Sequence, residues 1–118
     1  MHIFRRLLTS LLLVCVACSA TAETVAVIGT GNVGTALGTE FGGLGHTVIY
    51  GSRNPNAEKV QKLINDTENA SAALPAEAVR TADVVILAVP GMVTEAVVNG
   101  LGDLSGKIII DATNPLIF

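Results

Sequence analysis

Residues 24–55 read TVAVIGTGNVGTALGTEFGGLGHTVIYGSRNP, and this stretch decides the fold of the chain. It opens with an apolar, mostly β-branched run at 25–28, which leads into the glycine motif GTGNVG at 29–34. Apolar residues at helical spacing follow, and a second apolar run fills 47–50. A glycine motif between a strand and a helix, with a second strand behind it, predicts a βαβ unit that binds a dinucleotide. The motif alone is weak evidence, and its setting makes it specific.

The three glycines of the motif have separate mechanical roles in such a unit. Gly29 lies where the turn is too tight for a Cβ, Gly31 lets the main chain approach a pyrophosphate, and Gly34 lets the helix pack closely on the strand. Gly38, one turn later on the same face, extends that packing. The backbone N–H groups at the start of the helix lack carbonyl partners and attract an anion. The alternative is a glycine-rich turn that binds nothing.

The helix after the motif is predicted from its apolar residues, which recur at helical spacing; they are Val33, Leu37, Phe41 and Leu44. This stripe is expected to face the sheet. Gly45 is expected to end the helix as its C-terminal cap. The pattern assigns no role to Gly42 or Gly43.

The end of the second strand indicates which dinucleotide is bound. An NAD-selective site places Asp or Glu about 20 residues beyond the first glycine, where it accepts hydrogen bonds from the ribose hydroxyls. Tyr50 and Gly51 occupy that position here, and Ser52 and Arg53 follow. Arg53 can pair with a 2′-phosphate through its planar fork, and the Ser52 hydroxyl can donate beside it. The sequence therefore predicts NADP rather than NAD, with Arg53 as an ordinary solvated charge as the alternative.

The remainder of the chain continues the alternation of strands and helices. Asn54 and Pro55 are expected to start a helix as its N-cap and first residue, which would add amide donors near Arg53. The predicted fold is an α/β Rossmann fold with an open parallel sheet of about five strands and helices on both faces. The strands are predicted at 25–28, 47–50, 70–73, 84–89 and 107–111, and the later helices at 75–81 and 93–101.

The N-terminal residues predict a leader rather than part of the domain. Basic Arg5 and Arg6 precede an apolar run at 7–17, and small residues at 20–22 precede a predicted cleavage site. The domains are thus a signal peptide at 1–22 and an NADP-binding Rossmann domain at 23–118, with an exported, periplasmic protein as the expectation. The apolar run is shorter than the ~20 residues of a membrane-spanning helix. A cytoplasmic protein with an uncleaved or misassigned leader, an N-terminal anchor and a lipid-bearing Cys18 are the alternatives.

Charge and cysteine content exclude several function classes. Both cysteines, Cys15 and Cys18, lie in the leader, so the predicted mature domain has no thiol for a disulfide, a metal or a nucleophile. Without the leader, five basic residues face ten acidic ones, and few residues are aromatic. Such a domain is a poor candidate for binding nucleic acid or an anionic membrane.

No constellation of acid–base, nucleophilic or metal-binding residues is recognisable in the sequence, so the catalytic residues stay unknown. His46 is expected to be a solvent-exposed turn residue, and Asp111 is expected to cap a turn rather than act as an acid or base. Hydride transfer between two redox cofactors depends on positioning rather than on a protein acid or base. This chemistry suits the residues present.

Four segments together resemble a known family: IGTGNVGTALG, VIYGSRNP, ADVVILAVP and KIIIDATNPL. They are similar to the N-terminal domain of the NADPH-dependent oxidoreductases of the deazaflavin (coenzyme F420) type. This domain also looks related to that of the pyrroline-5-carboxylate reductases and to the reductase domain of the STEAP metalloreductases. The resemblance covers Thr24 to about Leu116. It implies that Thr30, Ser52 and Arg53 hold the NADP phosphates and that the loops after the fourth and fifth strands approach the nicotinamide.

The predicted cofactor site combines the glycine loop with the ends of three further strands. Its residues are Gly29, Thr30, Gly31, Asn32, Val33, Gly34, Ser52, Arg53, Ala88, Val89, Pro90 and Asn114. The expected function is the NADP(H)-binding part of an oxidoreductase that transfers hydride between nicotinamide and a flavin-like or small-molecule acceptor. The resemblance also implies a C-terminal region, absent from this chain, that completes the acceptor site and a homodimer. The alternatives are a non-catalytic NADP-binding or sensor module and an inactive fragment.

Overall fold

The computed structural model describes residues 21–114, and the strands and helices within them alternate along the chain. Most of the predicted leader, residues 1–20, lies outside the described range, as do residues 115–118. The strands are β1 (Thr24–Ile28), β2 (Thr47–Gly51), β3 (Ala70–Ala73), β4 (Val84–Leu87) and β5 (Ile108–Asp111). The helices are α1 (Asn32–Gly43), α2 (Glu58–Asp66), α3 (Pro75–Arg80) and α4 (Thr94–Asn99), with a 3₁₀ turn at Gly91–Val93 before α4.

All five strands are parallel and form one sheet in the order β3-β2-β1-β4-β5. β1 therefore lies at the centre, with β2 on one side and β4 on the other, so the chain reverses its direction of travel across the sheet after β3. The predicted Rossmann fold is confirmed. In such sheets ligands bind at the carboxyl ends of the strands, where the strand order reverses. The fold thus directs attention to the ends of β1 and β4.

The core lies on both faces of the sheet, which explains why β4 is apolar throughout and β1 is apolar from Val25 onward. On one face, Ala26 and Ile28 of β1 pack with Val85 and Leu87 of β4 beneath α3. On the other, alternate residues of the same strands pack with Val48 and Tyr50 of β2 beneath α1. The last four residues of β1, Val25 to Ile28, are all buried because each face of the sheet is covered.

Helix α1 contacts the sheet through glycines, which confirms the packing role predicted for Gly34 and Gly38 and corrects the predicted apolar stripe at its two ends. The buried residues of α1 are Gly34, Gly38 and Gly42, whereas Val33 is 50% and Leu44 73% exposed. A Cβ on Gly38 would overlap the ring of Tyr50, and one on Gly42 would overlap the carbonyl oxygen of Glu68. Leu37 and Phe41 pack only partly against the core. Gly42, which received no role from the sequence, therefore lies on the packing face.

Of the two helix-capping predictions, the one for the end of α1 is confirmed and the one for the start of α2 is wrong. Gly45 follows the C-cap residue Leu44 and adopts φ +93°, as expected for a glycine that ends a helix in the left-handed region. The prediction that Asn54 and Pro55 start the second helix is wrong, since α2 begins at Glu58 after Ala57. Residues 54–57 instead form a turn closed by the Ala57 N–H on the carbonyl of Asn54 at 3.1 Å. The Asn54 N–H donates to Ser52 Oγ and the Ala57 N–H to Asn54, so these two amides have partners within the segment.

Other boundaries differ by one or two residues. β4 ends at Leu87 rather than at Val89, and α4 is preceded by the 3₁₀ turn rather than starting at Val93. Within residues 21–114, no helix has both the length and the apolar content to cross a bilayer. The same range contains no cluster of His, Cys, Asp and Glu that could hold a metal ion.

Tyr50 links β2 to the C-terminal end of α2 through a buried hydrogen bond, and we expect the loss of this bond to be measurable. Its ring is fully buried and its hydroxyl lies 3.1 Å from Thr67 Oγ1, which also donates to the carbonyl of Leu63. Tyr50→Phe should lower the free energy of unfolding by about 1 kcal/mol, because Thr67 stays buried with one partner fewer. Urea denaturation should show a lower midpoint at an unchanged slope. An unchanged midpoint would contradict a stabilising role for this bond.

Candidate functional site

A cleft of about 570 Å³ opens at the carboxyl edge of the sheet, between the ends of β1, β2 and β4. Its position coincides with the reversal of strand order around β1. The predicted site residues in its lining are Gly29, Thr30, Gly31, Ser52, Arg53, Ala88, Val89 and Pro90. The fold thus brings together three segments that are separated along the chain.

The glycine loop fits its surroundings tightly at two of its three glycines. Gly29 has φ +112°, a conformation that side chains rarely adopt, and a Cβ there would overlap the carbonyl oxygen of Ala88. Its N–H donates to the carbonyl of Gly51 at 3.2 Å, which ties the loop to β2. A Cβ on Gly34 would overlap the carbonyl oxygen of Gly29. These two positions require glycine for the fold of the loop itself.

Gly31 differs from the other two, because a Cβ on it would meet nothing within 4 Å. It is the N-cap of α1, with extended backbone angles of φ −78° and ψ −167°, and it is exposed in the cleft lining. Its conformation is open to any residue. The protein itself thus gives no reason for a glycine here, whereas a ligand that approaches the backbone closely would.

The start of α1 offers backbone donors that no side chain caps. The helical hydrogen bonds begin with the Thr35 N–H on the carbonyl of Gly31, at 2.9 Å. The amides of Asn32, Val33 and Gly34 precede that bond and are directed out of the helix end. The first turn contains no acidic residue, so the partial positive charge of the helix end is not offset there. Asn32, Val33 and Gly34 lie beside the cleft rather than in its lining.

Two cationic side chains line the part of the cleft next to the end of β2. Arg53 follows the strand directly and is exposed, and Lys59 comes from the first turn of α2. Ser52 is held by its N–H on the carbonyl of Ala73 at 2.9 Å, and its Oγ accepts from the Asn54 N–H at 3.2 Å. The described residues of the lining include no Asp or Glu. This part of the cleft is therefore suited to a phosphate.

Lys59 is the site residue that sequence reasoning missed. A lysine near the start of a polar helix is indistinguishable in sequence from a solvated surface charge. Its only distinguishing feature in the sequence is that it lies close to Ser52 and Arg53. This feature identifies Lys59 as a site residue only when the start of α2 is known. Because α2 begins at Glu58 after a turn, Lys59 is directed toward the same cleft as Arg53.

The other end of the cleft is apolar. The Ala88 N–H donates to the carbonyl of Ile28 at 2.9 Å, which fixes the chain beyond β4 against β1. Val89 and Pro90 follow, and Val93 and Val97 complete the lining from the 3₁₀ turn and α4. The described part of this end contributes no titratable side chain. It provides a surface for a flat, uncharged ring.

The end of β5 contributes a turn rather than a cleft wall. Asp111 Oδ1 accepts the Thr113 N–H at 2.9 Å and the Thr113 hydroxyl at 2.6 Å, and these bonds hold the pKa of the Asp111 carboxyl below its usual value. This agrees with the turn-capping role expected of Asp111. Asn114 is exposed and is not part of the cleft lining. Its predicted contact with the nicotinamide stays a prediction.

His46 has a structural role at the opposite edge of the sheet. Its Nδ1 accepts the Glu23 N–H at 3.0 Å, and its ring packs edge-on against Phe41 with centroids 5.7 Å apart. The side chain is half-buried rather than exposed as the sequence predicted. Because it precedes β2, it lies away from the cleft at the carboxyl ends of the strands.

Comparison with known proteins agrees with this geometry. Residues 24–115 match the family model described as NADP oxidoreductase, coenzyme F420-dependent. A candidate F420-dependent NADP reductase from Arthrobacter sp. FB24 has 31% identity and a TM-score of 0.75 over 82% of this chain and 47% of its own. An imine reductase from Pseudomonas sp. has 25% identity and a TM-score of 0.68, over 81% and 34%.

A reductive aminase from Aspergillus terreus, solved in complex with NADPH and ethyl-5-oxohexanoate, is 27% identical with a TM-score of 0.62. The match covers 80% of this chain and 32% of that enzyme. The chain thus spans less than half the length of these matched structures. What they share with it is the domain that contains the cleft.

Proposed function

The chain belongs to the family of coenzyme F420-dependent NADP oxidoreductases, and we propose that its cleft binds NADP(H) for hydride exchange with a flavin-like or small-molecule acceptor. The observation that carries the proposal is the charge of the lining. Arg53 and Lys59 lie at the end of β2, where such folds place the adenosine ribose, and the described lining has no carboxylate there. A 2′-phosphate is attracted to this end, and a carboxylate that would favour NAD is missing from it.

The pyrophosphate is assigned to the glycine loop. Gly31 leaves open space above the backbone, and the uncapped amides of Asn32 and Val33 point out of the end of α1. An anion there accepts these donors and interacts with the positive end of the helix. The Gly29 N–H bonds the loop to β2, and the Gly29 carbonyl packs directly against Gly34 of α1, so the donors are positioned before the ligand arrives.

The nicotinamide is assigned to the apolar end of the cleft. Ala88, Val89 and Pro90 form one wall, and Val93 and Val97 form another. These side chains exclude water from one face of a ring without contributing charge. When bound, NADP(H) supplies the hydride carrier, and the protein residues hold it in place.

The absence of a titratable side chain among the described residues at this end favours a particular acceptor class. Reduction of a carbonyl or an imine needs a proton as well as a hydride, so a proton donor must come from elsewhere. Hydride transfer to a flavin-like ring leaves a negative charge that is delocalised over the ring and can take its proton from solvent, so the step needs chiefly a parallel approach of the two rings. We therefore rank a flavin-like acceptor ahead of a carbonyl or imine compound.

The test is the cofactor preference of the chain and its dependence on Arg53 and Lys59. Titration with NADPH and NADH, followed by calorimetry or nicotinamide fluorescence, should give the tighter binding for NADPH. Arg53→Ala should reduce this preference by about tenfold to a hundredfold, because one charge-assisted contact contributes about 1.5–3 kcal/mol. Adding Lys59→Ala to Arg53→Ala should reduce the preference for NADPH further. The affinity for NADH should change little in the single and the double variant.

Arg80→Ala is the matched control, because Arg80 is an exposed arginine on α3 outside the cleft lining. It removes the same charge from the molecule and should leave the preference unchanged. Equal affinity of the parent chain for NADPH and NADH would overturn the assignment of the 2′-phosphate to Ser52, Arg53 and Lys59.

A second candidate is a module that binds NADP(H) without turnover. The observation in its favour is that the chain matches only the cofactor-binding part of longer reductases. It predicts the same cofactor preference but no oxidation of NADPH with any flavin or deazaflavin. Stopped-flow absorbance at the nicotinamide band, with a deazaflavin as the acceptor, separates the two functions.

A further inference from the structure

The end of β2 and the start of α2 each contribute one cation to the cleft, and a short segment joins them. Arg53 follows β2 directly, whereas Lys59 lies in the first turn of α2. The β2 end is anchored, since the Ser52 N–H donates to the carbonyl of Ala73 at 2.9 Å. The position of Lys59 relative to Arg53 therefore depends on how firmly residues 54–57 hold the start of α2.

Backbone groups at the two ends of residues 54–57 are hydrogen-bonded. The Asn54 N–H donates to Ser52 Oγ at 3.2 Å, and the Asn54 carbonyl accepts the Ala57 N–H at 3.1 Å. The Ala57 carbonyl accepts the N–H groups of Val60 and Gln61, at 2.9 and 3.0 Å, and these bonds begin α2. The middle of the segment depends on other contacts.

One side chain of α2 reaches the middle of this segment. Gln61 Nε2 donates to the carbonyl of Pro55 at 2.9 Å. Within residues 21–114, it is the only side-chain hydrogen bond between α2 and residues 54–57. The N-cap residue Ala57 provides no side-chain cap, and Val60 is the only buried residue of the helix. Because an uncapped helix start frays readily, the start of α2 depends on the Gln61 bond.

Gln61 is outside the cleft lining, two residues after Lys59 on the same helix. Residues at this spacing do not share a helix face, so Gln61 does not compete with Lys59 for a ligand. We propose that Gln61 is a positioning residue for cofactor selectivity, which holds residues 54–57 and thereby fixes the direction of Lys59. This role rests on the NADP(H) site proposed above.

Loss of the Gln61 bond would free the segment without removing any group from the cleft. Lys59 would then sample more positions, and NADPH would have to restrict them when its 2′-phosphate binds. NADH has no 2′-phosphate and does not use Lys59, so its affinity is insensitive to this freedom. The expected signature of Gln61 is therefore a change in selectivity, with dinucleotide binding otherwise retained.

Gln61→Met is the test variant, because methionine matches glutamine in length and helix propensity but has no N–H donor. Titrations with NADPH and NADH should show the preference for NADPH reduced by about threefold, with the NADH affinity of the parent chain. This reduction is at the lower end for one hydrogen bond, because water reaches both partners of an exposed pair.

The same substitution in a Lys59→Ala background separates positioning from general weakening of the domain. Without the Lys59 ammonium there is nothing for Gln61 to position, so Gln61→Met should leave the preference of that background unchanged. A residue that only stabilises the domain would have the same effect in both backgrounds. The cycle thus measures the coupling between the two side chains.

Asn65→Leu is the matched control, because it removes another exposed amide from α2, one turn after Gln61 and outside the cleft lining. It should keep the preference of the parent chain. Hydrogen exchange of the free chain adds a measurement without cofactor. The Ala57 N–H, which is bonded to Asn54, should exchange about threefold faster in Gln61→Met and at the parent rate in Asn65→Leu.

Failure of the NADP(H) site and failure of the Gln61 role give different results. Equal affinity of the parent chain for NADPH and NADH would overturn the site, and the role of Gln61 with it. A parent chain that prefers NADPH, with a Gln61→Met variant of the same preference, would overturn the role of Gln61 alone. An equal loss of preference in the Lys59→Ala background would also overturn it, as would an unchanged exchange rate at Ala57.

Discussion

A Gly31→Ala variant is expected to lose about a hundredfold in NADPH affinity while its stability stays that of the parent chain. The stability is expected to hold because a Cβ on Gly31 meets nothing within 4 Å and the backbone angles suit alanine. The affinity is expected to fall because the methyl group occupies the space in which a pyrophosphate would approach the main chain. The N–H donors of Asn32 and Val33 then cannot reach the ligand at hydrogen-bond distance.

Thermal unfolding and an NADPH titration on the same preparation measure both halves of this expectation. Gly34→Ala is the matched comparison, since it adds the same methyl group only one turn away. Its Cβ would overlap the carbonyl oxygen of Gly29, so this variant should lose stability as well as binding. A Gly31→Ala variant that binds NADPH like the parent would contradict the placement of the pyrophosphate on this loop. A variant that unfolds would contradict the steric argument.

The fold was predictable because its signals are local and repeated. The central strands are apolar at every position after Thr24 of β1, and the glycine motif identifies the first strand–helix junction. Gly45 marks the end of α1 by its own conformational freedom. Such features need no knowledge of the neighbours, so β1, α1 and β2 were found within a residue or two.

The face that α1 presents to the sheet was predicted only in part. Gly34 and Gly38 were expected to pack on the strand and do so, but a hydrophobic pattern counts side chains, so it placed Leu37 and Phe41 on that face and gave Gly42 no role. The backbone of Gly42 lies against Glu68, which is distant in sequence. A close helix–sheet contact is marked in a sequence only by glycines, and glycines occur in helices for several other reasons.

The candidate site was predictable where a residue follows a strand directly. Ser52, Arg53 and Ala88 were identified because parallel strands deliver their carboxyl ends to one edge of the sheet. Lys59 was missed because its position depends on the turn at 54–57, and an Asn-Pro pair favours a helix start as readily as a turn.

Two glycine substitutions in α1 are expected to change the stability in opposite directions, and the first of them gives the largest expected change. Gly38→Ala should lower the free energy of unfolding by about 2–3 kcal/mol, the range for overpacking a rigid contact. The added Cβ would overlap the ring of Tyr50, which is fully buried and bonded to Thr67, so the ring has little room to move. The helix must shift from the sheet or the bond to Thr67 must break.

Gly43→Ala should raise the free energy of unfolding by about 0.5–1 kcal/mol. Gly43 is also in α1, but it is exposed and a Cβ on it meets nothing within 4 Å. Alanine there restricts the unfolded chain and favours the helix without a steric cost. Guanidinium denaturation of both variants measures the two changes on one scale. If both variants are more stable than the parent chain, α1 does not lie against Tyr50. If both are equally less stable, Gly43 is also in close contact with its surroundings. Opposite signs would show that the glycines at 38 and 43 differ in their contacts, because helix propensity alone favours alanine at both positions.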